Sequence, residues 1–126
     1  MTKPATTFTG ARLDWLKCVA FDRTLKAYPF AFKVAFVIAN HVNEKTGTAF
    51  LSDETIADKT GGYTVRQVVE MRKRLREAGY LIWRQTQTAN VYTLRHEKVS
   101  RTLDMITASS DARRERQKQR GRDREL

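Results

Sequence analysis

A chain of 126 residues has room for one packed core and not for two. Its 24 Lys and Arg against 14 Asp and Glu give a net charge of +10, and that excess favours a polyanionic partner, nucleic acid before an anionic membrane. A single cysteine, Cys18, excludes an internal disulfide, the longest apolar stretch (residues 28–39) is broken by Lys33 and too short to span a bilayer, and the start MTKPATTFTG lacks a signal-like apolar run, so a cytoplasmic protein is expected.

In chain order, residues 1–10, with Pro4 and Gly10, read as a flexible leader. Leu13, Leu16, Val19 and Ala20 fall at helical spacing and predict a helix over residues 11–21, with Cys18 as a packed thiol. Pro29 suits the first turn of a second helix. The run FAFKVAFVIANHV behind it is apolar nearly all round, which predicts a central helix buried on most sides. Residues 43–47 read as a turn, and Thr48 to Leu51 as a short strand against a later hairpin.

Ser52 is an N-cap residue, and Asp53 and Glu54 suit the positive end of the helix it opens. Ile56 and Ala57 face inward, and the helix stops near Thr60, where Gly61 and Gly62 permit a sharp reversal. Thr64 and Gln67 have the spacing of a capping box. Val68, Met71, Leu75 and Ala78 then form one inward stripe, and Gly79 ends the helix. Residues 80–84 and 91–94 read as strands joined by the polar loop 85–90, with Leu81 and Trp83 answered by Tyr92 and Leu94. Val99, Leu103 and Ile106 predict a short amphipathic helix, a candidate for pairing two chains into a homodimer. The run DARRERQKQRGRDREL cannot build a core and is expected to be a mobile tail. The fold class is mostly α with a small β-hairpin, as a domain over residues 11–95 and a basic extension over 96–126.

The charge is uneven. Residues 1–62 carry 8 basic and 6 acidic side chains, residues 63–94 carry 6 and 2, and residues 95–126 carry 10 and 6. With the apolar stripe of the second helix of the pair turned inward, its outer side presents Thr64, Arg66, Val69, Glu70 and Lys73. A helix fits the major groove of double-stranded DNA, and its first turns reach base edges there. Arg66 is the candidate reader of guanine, Glu70 of a cytosine amine, and Val69 or the Thr64 methyl of a thymine methyl. Ser52, Tyr63, Arg72, Arg74, Arg84, Gln87 and Arg95 are candidate contacts to the DNA backbone. Arg113, Arg114, Arg116, Lys118 and Arg120, with Arg122 and Arg124, would add salt-sensitive, sequence-blind affinity.

Signals for catalysis are lacking. His41 and His96 have no Cys, Asp or His at metal-ligand spacing. Gly61-Gly62 lacks the Gly-Lys-Ser/Thr ending of a phosphate loop, and Ser52 and Ser100 have no neighbouring base. The expectation is a binding protein without enzymatic activity, metal, cofactor, small-molecule ligand or membrane contact.

The segment LSDETIADKTGG, followed by a basic helix ending REAGYL and a hairpin closing NVYTL, resembles the winged helix-turn-helix domains of bacterial regulators. It is especially similar to those of plasmid and phage replication initiators and small regulators of mobile elements, over Leu13 to Leu94. The resemblance implies that residues 52–60 are a positioning helix, 64–79 a recognition helix and 80–94 a wing. It implies a nucleoid-associated transcriptional regulator, a repressor of a plasmid, phage or conjugative element, with an origin-binding initiator or a protein-interaction module as alternatives. Thr60 and Arg72 depart from the family pattern, which is apolar at both positions. Either Arg72 tilts out toward phosphate, or the helix register shifts by one and exchanges Val69 and Glu70 between base and core faces.

Overall fold

The computed structural model describes residues 7–125. Among them are five α-helices: α1 (Phe8–Phe21), α2 (Ala31–Asn40), α3 (Asp53–Lys59), α4 (Val65–Glu77) and α5 (Val99–Glu125). Three strands, β1 (Thr48–Leu51), β2 (Leu81–Gln85) and β3 (Asn90–Leu94), form one antiparallel sheet in the order β1-β3-β2. The chain is mostly helical with a small sheet, as the sequence predicts.

α1 begins earlier than its apolar spacing suggests, because the Thr7 side chain accepts from the Gly10 N–H at 3.1 Å and caps the first turn. Residues 8–10 of the expected leader are therefore helical, and residues 1–6 lie outside the described residues. Trp15, Cys18 and Val19 are the buried side of α1, so the lone thiol is packed, as expected. Burial raises its pKa, with the nearby Asp14 carboxylate adding to the effect.

α2 is central and buried on most sides, as expected, but its large rings are not the buried part. Its inward side is built from small and β-branched residues, Ala31, Val34, Ala35, Val37, Ile38 and Ala39. These allow close crossings with α1, α3 and α4, and such crossings have no room for large rings. Phe30, Phe32 and Phe36 stay on the open side, exposed at 50%, 38% and 50%. His41 ends the helix, its Nδ1 lying 2.8 Å from the Val37 carbonyl oxygen.

α3 and α4 close with the same hydrogen-bond pattern. In α3 the Gly62 N–H reaches back to the Ala57 carbonyl and the Gly61 N–H to Asp58. In α4 the Tyr80 N–H reaches Leu75 and the Gly79 N–H reaches Arg76. Gly61, Gly62 and Gly79 all have positive φ, near +86°, +97° and +88°, so glycine is what permits these stops. Between them the Thr64–Gln67 capping box forms in full: Thr64 Oγ1 accepts from the Gln67 N–H at 3.1 Å, and Gln67 Oε1 accepts from the Thr64 N–H at 2.9 Å.

The hairpin pairs Leu81 with Leu94 and Trp83 with Tyr92, the four residues expected to face one another across the strands. β1 adds to its other edge, with Ala49 opposite Tyr92. Val68 and Leu75 of α4, Ile38 of α2, Ile56 of α3, and Tyr80, Leu81 and Tyr92 from the sheet region meet Trp15 in one core. Trp15 also donates from Nε1 to the Tyr80 carbonyl at 2.9 Å, and the two rings meet edge to face at 6.1 Å.

α5 differs from the sequence reading in its length and in the placement of its apolar stripe. Its apolar stripe does not stand free for pairing two chains: Val99 and Leu103 are buried in the core, Ile106 is half-buried against it, and the helix packs on α1. Beyond this, α5 continues as one helix to Glu125 where a mobile tail is expected. Residues 111–124 are exposed, so their helix draws on local pairs rather than a core. Asp111–Arg114, Glu115–Lys118 and Gln119–Asp123 are such pairs, one turn apart.

Candidate functional site

The side of α4 away from the core is open. Thr64, Arg66 and Lys73 are exposed, and Val69 and Glu70 are half-exposed. Arg66 and Lys73 are seven residues apart, which puts them on one side of the helix about 10 Å apart along its axis. Neither forms an ion pair with any described residue. The Thr64 hydroxyl is committed to the capping box.

The acids of this region are already engaged. Arg74 donates from Nε to Glu70 at 3.0 Å and from Nη1 to Glu77 at 3.4 Å, and its guanidinium lies 4.4 Å from the centre of the Tyr28 ring. The Glu70 hydrogen bond is the main reason its pKa is raised. Glu70 and Glu77 are the two acids of residues 63–94. Their pairing with Arg74 leaves Arg66, Lys73, Arg76 (which lies over Trp83) and, on the hairpin, Arg84 as exposed cations without an ion pair among the described residues.

Arg72 goes inward, which corrects the expected phosphate contact. Its side chain is 12% exposed; Nη1 donates to the Asp53 carboxylate and, at 3.3 Å, to the Tyr92 hydroxyl. Asn90 Nδ2 joins the same cluster, 3.3 Å from the Tyr92 hydroxyl and 3.5 Å from Asp53. The cluster ties the first turn of α3, the middle of α4 and β3 together. No register shift is needed, because Val68 and Leu75 remain buried, with Met71 packed against the core, while Val69 and Glu70 stay on the outer side. The other departure, Thr60, is buried and satisfies its hydroxyl on the Ala57 carbonyl at 2.8 Å, so an apolar residue is not required there.

The remaining candidates divide. Ser52 caps α3, its Oγ accepting from the Thr55 N–H at 3.2 Å, and is half-buried. Tyr63 is half-buried in the turn before α4, edge to face with Phe30 at 5.1 Å, with the Lys33 ammonium 5.3 Å from its ring centre. Its hydroxyl is buried without a hydrogen-bond partner among the described residues. Gln87 lies exposed at the hairpin tip, where Thr86 and Ala89 close the turn through the Thr86 side chain. Arg95 sits beyond β3 and donates from Nε to Glu97 at 2.6 Å; the pair raises the Arg95 pKa and lowers that of Glu97.

Trp83 is a positioning residue that its place in the strand pattern does not identify. The Arg76 guanidinium lies 4.2 Å, and that of Arg72 5.1 Å, from its ring centre, so cations of α4 stack on β2 and hold the hairpin against the helix. The aromatic residue two positions after a conspicuous Leu81, facing a helix with Arg at 72 and 76, is the only sequence sign of it. Among the described residues, no three His, Cys, Asp or Glu side chains converge as metal ligands, and no helix is long and apolar enough to cross a membrane. Compared with known protein families, with curated proteins and with solved structures, the chain matches none of them.

Proposed function

We propose that this chain is a winged helix-turn-helix protein that binds double-stranded DNA with some sequence preference. In this reading α3 is the positioning helix, α4 the recognition helix in the major groove, and β2–β3 the wing along the backbone. The carrying observation is the outer side of α4, where Arg66 and Lys73 stand exposed and uncompensated on a helix whose own acids both bind Arg74. A bare helix of this kind fits a groove about 12 Å wide and meets a charge of opposite sign there. The order of elements supports it too: helix, strand, two helices about a glycine turn, then a hairpin whose second strand pairs with the first strand.

The role that fits is a transcriptional repressor of a bacterial plasmid, phage or conjugative element, acting by occupying its site on the nucleoid. If two copies bind together, the site is a near-palindrome with half-sites about one helical turn apart. A second reading has one observation in its favour. Leu13 on α1, Phe32 and Phe36 on α2 and Phe30 at its N-cap are large exposed apolar side chains, as a protein-interaction module on the same scaffold would carry.

Fragments selected from random duplexes, followed by titration of the chain and of Arg66→Ala against the selected and a mixed-sequence duplex, test the first reading. Arg66→Ala costs on the order of 1–3 kcal/mol on the selected site and relaxes its preference. A uniform loss on all sequences makes Arg66 a phosphate contact. No affinity for any duplex at low ionic strength ends the DNA reading in favour of the second.

A further inference from the structure

Along the outer half of α5 the cations that the sequence presents as one basic run divide into a paired set, Arg114 and Lys118, an unpaired row on another side, and Arg122, which lies off that row and forms no ion pair with a described residue. Arg114 pairs with Asp111 at 3.8 Å and Lys118 with Glu115 at 3.5 Å, so these two cations are each offset by an acid one turn away. Arg113, Arg116, Arg120 and Arg124 recur at i, i+3, i+7 and i+11, which aligns them along another side. None of the four forms an ion pair with a described residue, and Asp123 accepts from Gln119 at 3.0 Å. The single lysine of this segment is among the paired cations; the unpaired row is all arginine.

Such a row opposes the helix that carries it. Arg116 and Arg120, and Arg120 and Arg124, are like charges at i, i+4, and Gly121 between them is a poor helix former. The repulsion is relieved beside a continuous line of negative charge. Arg113 to Arg124 spans eleven residue steps, about 16 Å of helix. That is about the axial extent of five phosphates on one strand of duplex DNA. Guanidinium groups bind phosphate through two parallel N–H donors, which an ammonium does not.

We propose that the Arg113–Arg116–Arg120–Arg124 stripe is a second DNA contact, lying along a phosphate backbone and adding affinity without sequence preference. This rests on the reading of the chain as a duplex-binding protein and adds a surface distinct from α4.

The test compares two triple variants of the full chain that each remove three positive charges: Arg113→Gln/Arg116→Gln/Arg120→Gln on the stripe and Arg114→Gln/Lys118→Gln/Arg122→Gln off it. Both are titrated against a mixed-sequence duplex over a range of salt, with helicity checked by circular dichroism. The stripe variant binds about tenfold or more weakly, and its salt slope flattens by about two to three, near 0.9 for each phosphate no longer neutralised. The off-stripe variant moves the slope by less than half as much. Equal effects would show that net charge alone matters and overturn the proposal. A stripe effect on polyglutamate but not on duplex overturns it in favour of an acidic protein partner. Hydrogen exchange of the unmodified chain gives a check that needs no variant: residues 111–125 exchange more slowly once duplex is added, and unchanged exchange overturns the proposal. Binding that needs Arg66 but not the stripe removes this proposal alone; no binding of the unmodified chain to any duplex removes both.

Discussion

Arg66 and Arg72 lie on the same helix fewer than two turns apart, and their surroundings give them opposite work. Arg66 extends into solvent with no partner among the described residues. Arg72 is drawn under the helix by Asp53 at the start of α3, which also accepts from Asn90 of β3, and donates as well to the Tyr92 hydroxyl. One guanidinium is free to meet an external anion, while the other fixes the angle at which α3, α4 and the hairpin meet. The general point is that a basic helix is not a uniform surface. Charge turned inward, as at Arg72, ties α4 to its neighbours, and only the remainder is left for a ligand.

The inward side gives the largest expected effect. Arg72→Ala leaves the Asp53 carboxylate, 23% exposed, with only Asn90 beside it, and removes one of the two cations over Trp83. The loss is about 2 kcal/mol in a urea unfolding experiment, the range for a hydrogen bond to a charged group. Asp53→Ala should cost a similar amount, and the double variant less than the sum of the two. Additive losses would mean that the two side chains do not act as a pair, and the contrast with Arg66 would fail.

The sequence makes local chemistry legible and distant pairing much less so. The Thr64–Gln67 capping box, the Ser52 cap, the glycine stops and the Leu81–Leu94 and Trp83–Tyr92 register all depend on neighbours a few residues away or on simple alternation. Arg72 depends on an aspartate nineteen residues earlier, so from the helix alone it reads as one more outward cation. The phenylalanines of α2 fail for a related reason: an apolar run tells that a helix is buried somewhere, and not which side its neighbours leave uncovered. α5 is hidden by the opposite assumption, that a segment without a core has no structure, when pairs one turn apart are available along its length. On the candidate site, the exposure of Arg66 and Lys73 follows from the apolar stripe, whereas the engagement of Glu70 and Glu77 by Arg74 is visible only in the folded chain.

A second internal anchor, at the far end of α4, sharpens the contrast through pH. The Tyr80 hydroxyl donates to the Asp22 carboxylate and to the Cys18 carbonyl, while Lys98 donates to Asp22 at 3.2 Å and to the Ala78 carbonyl at 2.6 Å. Burial, and after it the Asp22 hydrogen bond and charge, raise the Tyr80 pKa well above its usual value. A raised pKa means that the folded state holds its proton where the unfolded state has lost it. Stability is therefore fully present below about pH 10 and declines as pH rises beyond it. For Asp22, burial pushes the pKa up, but the hydrogen bonds from Thr24, Tyr80 and Lys98 outweigh it and the net shift is down. Its contribution is present above the ordinary aspartate range and is lost as pH falls through the lowered value. Tyr80→Phe should cost about 1 kcal/mol at neutral pH and flatten the alkaline decline. An unchanged alkaline limb would show that another group governs it.

The smallest expected effect is the most discriminating. Arg66→Ala removes an exposed side chain with no described partner, so unfolding stability should change by less than about 0.5 kcal/mol. A residue kept for packing would betray itself in that measurement, whatever happened to DNA affinity. If Arg66→Ala unfolds as easily as Arg72→Ala, the outer side of α4 is part of the scaffold after all, and a loss of binding in that variant would say nothing about base reading. If stability holds while preference for the selected duplex falls, the division of work along this helix is the reason: charge turned inward sets the geometry, and charge left outside reads it against a ligand.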